Sequence, residues 1–151
     1  MRIAIGSDHA AYQLKNRIAE TLRDEGHEVT DLGTSGPEPV DYPDCAVAVG
    51  NWVRNGDADK GILLCGSGIG TVIAANKLRG IRAALCHDCY SAHQSVEHNN
   101  ANILCLGARI IGEQLALEIV HIWLDAKFSG EERFRRRLAK IEAIEEKECT
   151  T

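Results

Sequence analysis

The sequence predicts an α/β protein of three layers, a five-stranded parallel sheet sandwiched between helices in the Rossmann-like manner. Two observations carry that expectation. Strand-like apolar runs alternate with stretches of helical periodicity from the first residues to about residue 126. The run Gly61-Ile62-Leu63-Leu64 has no polar side chain, as suits a strand covered on both faces. At 151 residues and 44% apolar content, residues 1–151 are expected to form one domain with a substantial core.

Residues 2–6 read as the first strand, followed by a helix over about residues 9–24 with Asp8 or Ser7 as its cap. Gly26 ends that helix, and residues 27–32 read as the second strand. The one Gly/Pro-rich loop, residues 33–39, leads to a helix near residues 43–55 that Asn55-Gly56 closes. The third strand covers residues 61–65 and its helix residues 70–78. Residues 81–86 and 102–106 are the fourth and fifth strands, with helices over about 89–98 and 112–126. A last helix, about residues 131–147, follows no strand. Its apolar positions Phe134, Leu138, Ile141 and Ile144 make a narrow stripe, suited to its own domain or to a partner subunit.

A net charge of −5 argues against a nucleic-acid surface over the whole protein. There is no long apolar run to span a membrane, and the N-terminus reads straight into a strand without the shape of a signal peptide. Of six cysteines, Cys45, Cys65, Cys86 and Cys105 lie in or at the ends of apolar segments, where cysteine behaves as a small hydrophobe. A reduced, cytoplasmic protein is the expectation.

The most informative segment is Cys65-Gly-Ser-Gly-Ile-Gly70, where a strand runs through three glycines into a helix. Such a turn leaves backbone N–H groups aimed into one small space, where they can hold an anion. N–H groups and a helix N-terminus also favour a thiolate beside them. In an open parallel sheet ligands bind beyond the carboxyl ends of the strands. The residues expected at that edge are Ser7, Asp8 and His9, then Cys65 to Gly70, His87 and Asp88, His98 to Asn100, and Gly107 with Arg109.

Each candidate has a rival reading. Gly66-x-Gly68 followed by Asp88 resembles a dinucleotide fingerprint, but the third glycine would fall at Thr71 and the motif belongs to the third strand. Cys86-His87-x-Cys89 with His93 resembles a metal set, yet only one C-x2-C pair is present. The imidazole of His9, with nearby helix N–H groups, can bind phosphate or stand in solvent. Arg133 and Arg137 share a helix face and suit phosphate, though a charge run is equally a solvated surface.

Taken together, Gly6-Ser-Asp-His9, Asp41-Tyr42-Pro43, Cys65-Gly-Ser-Gly-Ile-Gly70, Ala74-Ala-Asn-Lys77, Gly80-Ile-Arg82, Glu97-His-Asn99 and Gly107-Ala-Arg109 resemble the B-type ribose-5-phosphate isomerases. That family also includes allose-6-phosphate and galactose-6-phosphate isomerases. The resemblance runs in order over about residues 2–145. It implies an aldose–ketose isomerase of sugar phosphates that works through a cis-enediolate without metal or other cofactor. By resemblance, Cys65 is the base that moves the proton between C1 and C2. The loop Gly66 to Gly70, with Gly68 and Ile69, stabilises the enediolate oxygens, and the Ser67 hydroxyl shuttles protons between O1 and O2. His98 opens the furanose ring, with Asp8 and Tyr42 nearby, and Asn99 binds substrate. His9, Arg109, Arg133 and Arg137 bind the phosphate, the last two reaching in from the other subunit of a homodimer or tetramer.

Some relatives use a glutamate at the position of Ala75 in place of the cysteine, so this chain resembles the cysteine type. Retention of His98-Asn99 and Asp8-His9 favours a pentose phosphate over galactose 6-phosphate. Relatives commonly carry Gly-Gly before the arginine at Arg133, whereas Glu131-Glu132 stand here beside the expected phosphate site.

Overall fold

The computed structural model describes residues 1–148. Its elements are β1 (Arg2–Ser7), α1 (Tyr12–Asp24), β2 (Glu28–Asp31), α2 (Tyr42–Arg54), β3 (Lys60–Cys65) and α3 (Ile69–Ala75). They continue with β4 (Ala83–Leu85), α4 (Cys89–Glu97), β5 (Ile103–Gly107), α5 (Glu113–Asp125) and α6 (Glu132–Glu148). All five strands are parallel, in the order β2-β1-β3-β5-β4.

The period of two in a strand sends alternate side chains to opposite faces, and each face has its own core. Ile3, Ile5, Ile62, Leu64, Leu104 and Leu106 pack against α1, α4 and α5, with Trp123 of α5 fully buried among them. Ala4, Leu63, Ile103 and Cys105 face α2 and α3, meeting Cys45, Ala46, Val49 and Ala75. Each large side chain buried in this way contributes about 1.5–3 kcal/mol. The expected three-layer architecture is therefore present.

The order of strands locates the site. From β1 the chain moves to β2 on one side, then crosses back over β1 to place β3 on the other. The carboxyl ends of β1 and β3 therefore flank a point where the winding reverses, the usual ligand crevice of such sheets.

Three local expectations need correction. The first helix begins at Tyr12, and its N-cap is Ala11 with no side-chain cap. Asp8 instead closes a turn before it: its Oδ1 accepts the Ala10 N–H at 3.0 Å, and the Asp8 carbonyl accepts the Ala11 N–H at 3.2 Å. β4 is only three residues long because it lies at the sheet edge, paired on one side alone. The helix α3 stops at Ala75, where bonds from Lys77 to Ala74 and from Leu78 to Ala75 tighten the chain into a turn.

The last helix, α6, is fastened to its own chain at both ends. The Ser129 N–H just before it donates to the Glu97 carbonyl at 3.0 Å, Phe134 is buried, and Glu145 accepts the Gly80 N–H at 2.9 Å. Ile141 and Ile144 remain exposed on it.

Candidate active site

The site is built on the end of β3. Cys65 is the last residue of that strand and pairs in register with Gly107 of β5. Its sulfur accepts the Gly68 N–H at 3.1 Å, and the Thr71 hydroxyl lies 3.7 Å away. Thr71 also donates to the Gly68 carbonyl at 3.0 Å, which locks the turn onto the first turn of α3. Gly68 has a φ of +77°, and a Cβ there would come within 2.5 Å of Leu85 Cδ1 and 2.9 Å of the Leu106 carbonyl carbon. Only glycine meets both demands. Thr71 is fully buried and is a site residue that sequence reasoning passed over. Its one visible signal was a hydroxyl residue in the first turn of the helix that follows the glycines.

The facing wall comes from β1, α2 and the turn after β5. A pocket of ≈ 410 Å³ is bordered by Asp8, His9, Tyr42, Cys65, Gly66, Ser67, Gly70 and Arg109, so eight of the expected site residues meet there. His9 Nδ1 accepts the Val40 N–H at 3.2 Å. An imidazole that accepts at Nδ1 carries its hydrogen on Nε2, which is then free to donate. The Tyr42 ring lies over Gly70 so closely that a Cβ there would sit 2.6 Å from it. The Arg109 side chain lies along Gly66, and the Arg109 backbone N–H donates to the Gly66 carbonyl at 3.0 Å. Ser67 Oγ accepts the Ile69 N–H at 3.2 Å, leaving the hydroxyl hydrogen to donate elsewhere.

That last bond bears on Ile69. Its N–H is taken by Ser67, its side chain is exposed, and it does not border the pocket. Larger clefts of ≈ 520 Å³ and ≈ 560 Å³ lie elsewhere. The first holds Asp31, Asp41 and Asp44, an unfavourable setting for a phosphate, and the second sets Glu142, Glu145 and Glu146 among Arg54, Arg79 and Arg82.

His98 and Asn99 were expected at the same edge as Cys65, and Arg133 and Arg137 from another subunit. They form a separate group at the opposite, amino edge of the sheet. The helix α4 starts at the carboxyl edge after β4 and runs back antiparallel to the strands, so its C-terminal residues emerge where β4 and β5 begin. There Arg82 donates to the Asn100 carbonyl and to Asn102 Oδ1, and Asn99 borders a cleft with Arg82 and Ala83. The His98 ring stacks on Phe134 of α6, centroids 4.1 Å apart at 15°. Arg133 lies 4.5 Å and Arg137 5.8 Å from the same Phe134 ring. Arg133 Nε also pairs with Glu131 at 3.0 Å, and Arg136 with Glu132 at 2.8 Å, so the two glutamates engage the arginine run directly.

Burial pushes Cys45 up to about 12, with the Asp8 charge adding, and also raises Cys86 and Cys105. The Cys86-His87-x-Cys89 set with His93 is not gathered. His87 turns to the Gly107 N–H at 2.8 Å, and His93 lies 3.4 Å from Glu97. Among the described residues no group of three or more His, Cys, Asp or Glu is placed to hold a metal ion. Nor is any described helix long and apolar enough to cross a membrane.

Known proteins resemble this chain over nearly its whole length. The family described as Ribose/Galactose Isomerase matches residues 3–141. The D-erythrulose-4-phosphate isomerase of Pectobacterium atrosepticum is 50% identical over 86% of this chain and 86% of its own. The ribose-5-phosphate isomerase B of Escherichia coli is 45% identical, over 97% of each chain. The solved ribose-5-phosphate isomerase B of Clostridium thermocellum superposes with a TM-score of 0.95 at 53% identity, over 97% of this chain and 99% of that one. With the thiol, its N–H donor and the arginine around one pocket, and relatives of this kind on every side, the chain belongs to the ribose/galactose isomerase family and is a sugar-phosphate isomerase of the aldose–ketose type.

Proposed function

We propose that this isomerase interconverts D-ribose 5-phosphate and D-ribulose 5-phosphate through a cis-enediolate, with Cys65 as the base. The observation that carries the reading is a sulfur held by the Gly68 N–H on the rim of a pocket that also holds Asp8, His9, Ser67 and Arg109. Removing a proton next to a carbonyl needs a base and a place for the developing oxyanion. In the open-chain aldose, Cys65 Sγ takes the proton from C2, the C1–C2 double bond forms, and the carbonyl pair moves onto O1. The Ser67 hydroxyl passes the O2 proton to O1. The O2 pair then forms the ketone as C1 takes the proton back from sulfur. His9 Nε2–H and the Arg109 guanidinium bind the phosphate, a forked cation and a neutral donor suited to its oxygens.

His98, Asn99, Arg133 and Arg137 take part by way of a second copy. One chain holds the Cys65 pocket at one edge of its sheet and the His98 group at the other, so a homodimer unites the two groups at each site. Ile69 and Ile73 on α3, beside the pocket, and Ile141 and Ile144 on α6 are exposed apolar surface available for that contact.

Steady-state kinetics on ribose 5-phosphate, allose 6-phosphate, galactose 6-phosphate and D-erythrulose 4-phosphate test the substrate. The four-carbon ketose is included because a relative at 50% identity carries that name. The highest kcat/KM is expected for ribose 5-phosphate; a hexose or tetrose preferred tenfold would overturn the pentose assignment.

A further inference from the structure

Gly107, the buried last residue of β5, has an unusual partner. In a parallel ladder alternate residues turn their N–H groups to one neighbour. Ile103 donates to the Arg82 carbonyl and Cys105 accepts from the Cys86 N–H, so residues 103, 105 and 107 face β4. The strand β4 ends at Leu85, and no strand carbonyl stands ready for Gly107. His87 fills the gap: its Nε2 accepts the Gly107 N–H at 2.8 Å. An N–H left unpaired at this buried place would be destabilising.

Gly107 in turn supports the segment that carries the thiol. A Cβ on Gly107 would lie 2.6 Å from the Ser67 carbonyl oxygen, and one on Gly68 would lie 3.1 Å from the Gly107 nitrogen. The Ser67–Gly68 peptide is therefore in direct contact with Gly107, and it is this peptide whose N–H reaches Cys65 Sγ. The two residues after Gly107 continue the support. The Ala108 N–H donates to the Cys65 carbonyl at 2.9 Å and the Arg109 N–H to the Gly66 carbonyl at 3.0 Å. His87 itself does not border the pocket.

We propose that His87 is a positioning residue for the isomerase reaction: its Nε2 stands in for a missing strand carbonyl and holds Gly107 so that the Gly68 N–H stays on Cys65. The imidazole can accept only as the Nδ1–H tautomer, and burial lowers its pKa below the usual histidine value, which favours that neutral form. The proposal rests on Cys65 being the reacting thiol.

Two variants and one measurement on the unaltered enzyme test it. His87→Leu removes the acceptor at similar volume, and His87→Gln offers an amide oxygen near the place of Nε2. His87→Leu is expected to lower kcat about tenfold or more while KM moves less than about threefold, and His87→Gln to recover most of the loss. A kcat within twofold of the unaltered enzyme in His87→Leu overturns the proposal, as does a Gln variant no better than Leu. Independently, nitrogen NMR of the unaltered protein at pH 7.5 is expected to show an unprotonated Nε2 on His87. An Nε2–H tautomer or an imidazolium there refutes the hydrogen bond. The NMR result needs no substrate, nor does Cys65 alkylation, which is expected to slow at least threefold in His87→Leu and which, if unchanged, overturns the proposal. If the unaltered enzyme turned over no sugar phosphate, the functional reading would fail while these two still decided the role of His87.

Discussion

Cys45, Cys65, Cys86 and Cys105 are all buried, so exposure does not distinguish them; their surroundings do. Burial raises the other three, to about 12 for Cys45, whereas Cys65 receives the Gly68 N–H and borders the pocket. Iodoacetamide at pH 8 is therefore expected to label Cys65 ahead of those three, as peptide mass spectrometry would show. Equal labelling of Cys45 would count against a reactive Cys65. Cys65→Ala is expected to lower kcat by about 10³-fold or more while inorganic phosphate still binds, a split that inhibition by phosphate would measure. Gly68→Ala attacks the same turn from the backbone. The left-handed φ costs about 1–2 kcal/mol and the contacts with Leu85 and Leu106 add to it, so urea unfolding should show a loss of at least about 2 kcal/mol. Cys65 and its glycines could be read in the sequence because glycines between a strand and a helix weaken both unless the backbone must pass close to something. Thr71 and His87 could not. Their parts depend on a buried hydroxyl beneath the turn and on a strand that stops short, and neither has a local sequence signature.

At the scale of elements, the alternation of strands and helices was legible because β1, β3, β4 and β5 carry apolar runs and the helices stripes, while β2, Glu28-Val-Thr-Asp31, was marked only by Gly26 before it and the Gly/Pro-rich loop after it. The ends were less so. The 81–86 segment has the apolar content of a six-residue strand, but at the sheet edge only Ala83–Leu85 pair in register with β5. The site was misplaced in part for a similar reason: the order of residues along the chain does not say that a helix reverses direction, and α4 carries His98 away from Cys65. The element that gathers the second group is α6. Phe134, 3% exposed, anchors its first turn by stacking on His98, with Arg133 and Arg137 against the same ring. Phe134→Ala is expected to cost about 3 kcal/mol, the lower end for a buried phenylalanine, because the ring lies near a helix start with solvent close by. Hydrogen exchange should then show faster exchange over residues 131–140, with a raised KM for substrate as Arg137 loses its support. Unchanged KM despite lost protection would separate α6 from the site.

At the scale of the molecule, the parallel sheet keeps the two groups apart. Strands of five or six residues put its two edges roughly 15–20 Å from one another, farther than a five-carbon sugar phosphate extends. No side-chain rotation closes such a gap within one chain, so a shared site requires a second copy. A symmetric pair would supply it twice over: Cys65 of each copy would meet the partner's His98, and each α6 would lend its arginines across the interface. Cys65→Ala and His98→Asn, purified separately, should each show little activity on ribose 5-phosphate. Mixed at equal concentration and allowed to exchange subunits, half the dimers would be hybrids. In each hybrid one site would carry both defects and the other neither, so activity should rise to about a quarter of the unaltered enzyme's. If Cys65 and His98 instead served the same reaction within one chain, no hybrid would contain an intact site. Mixing would then leave activity at the mean of the two variants, even with complete exchange demonstrated by native mass spectrometry.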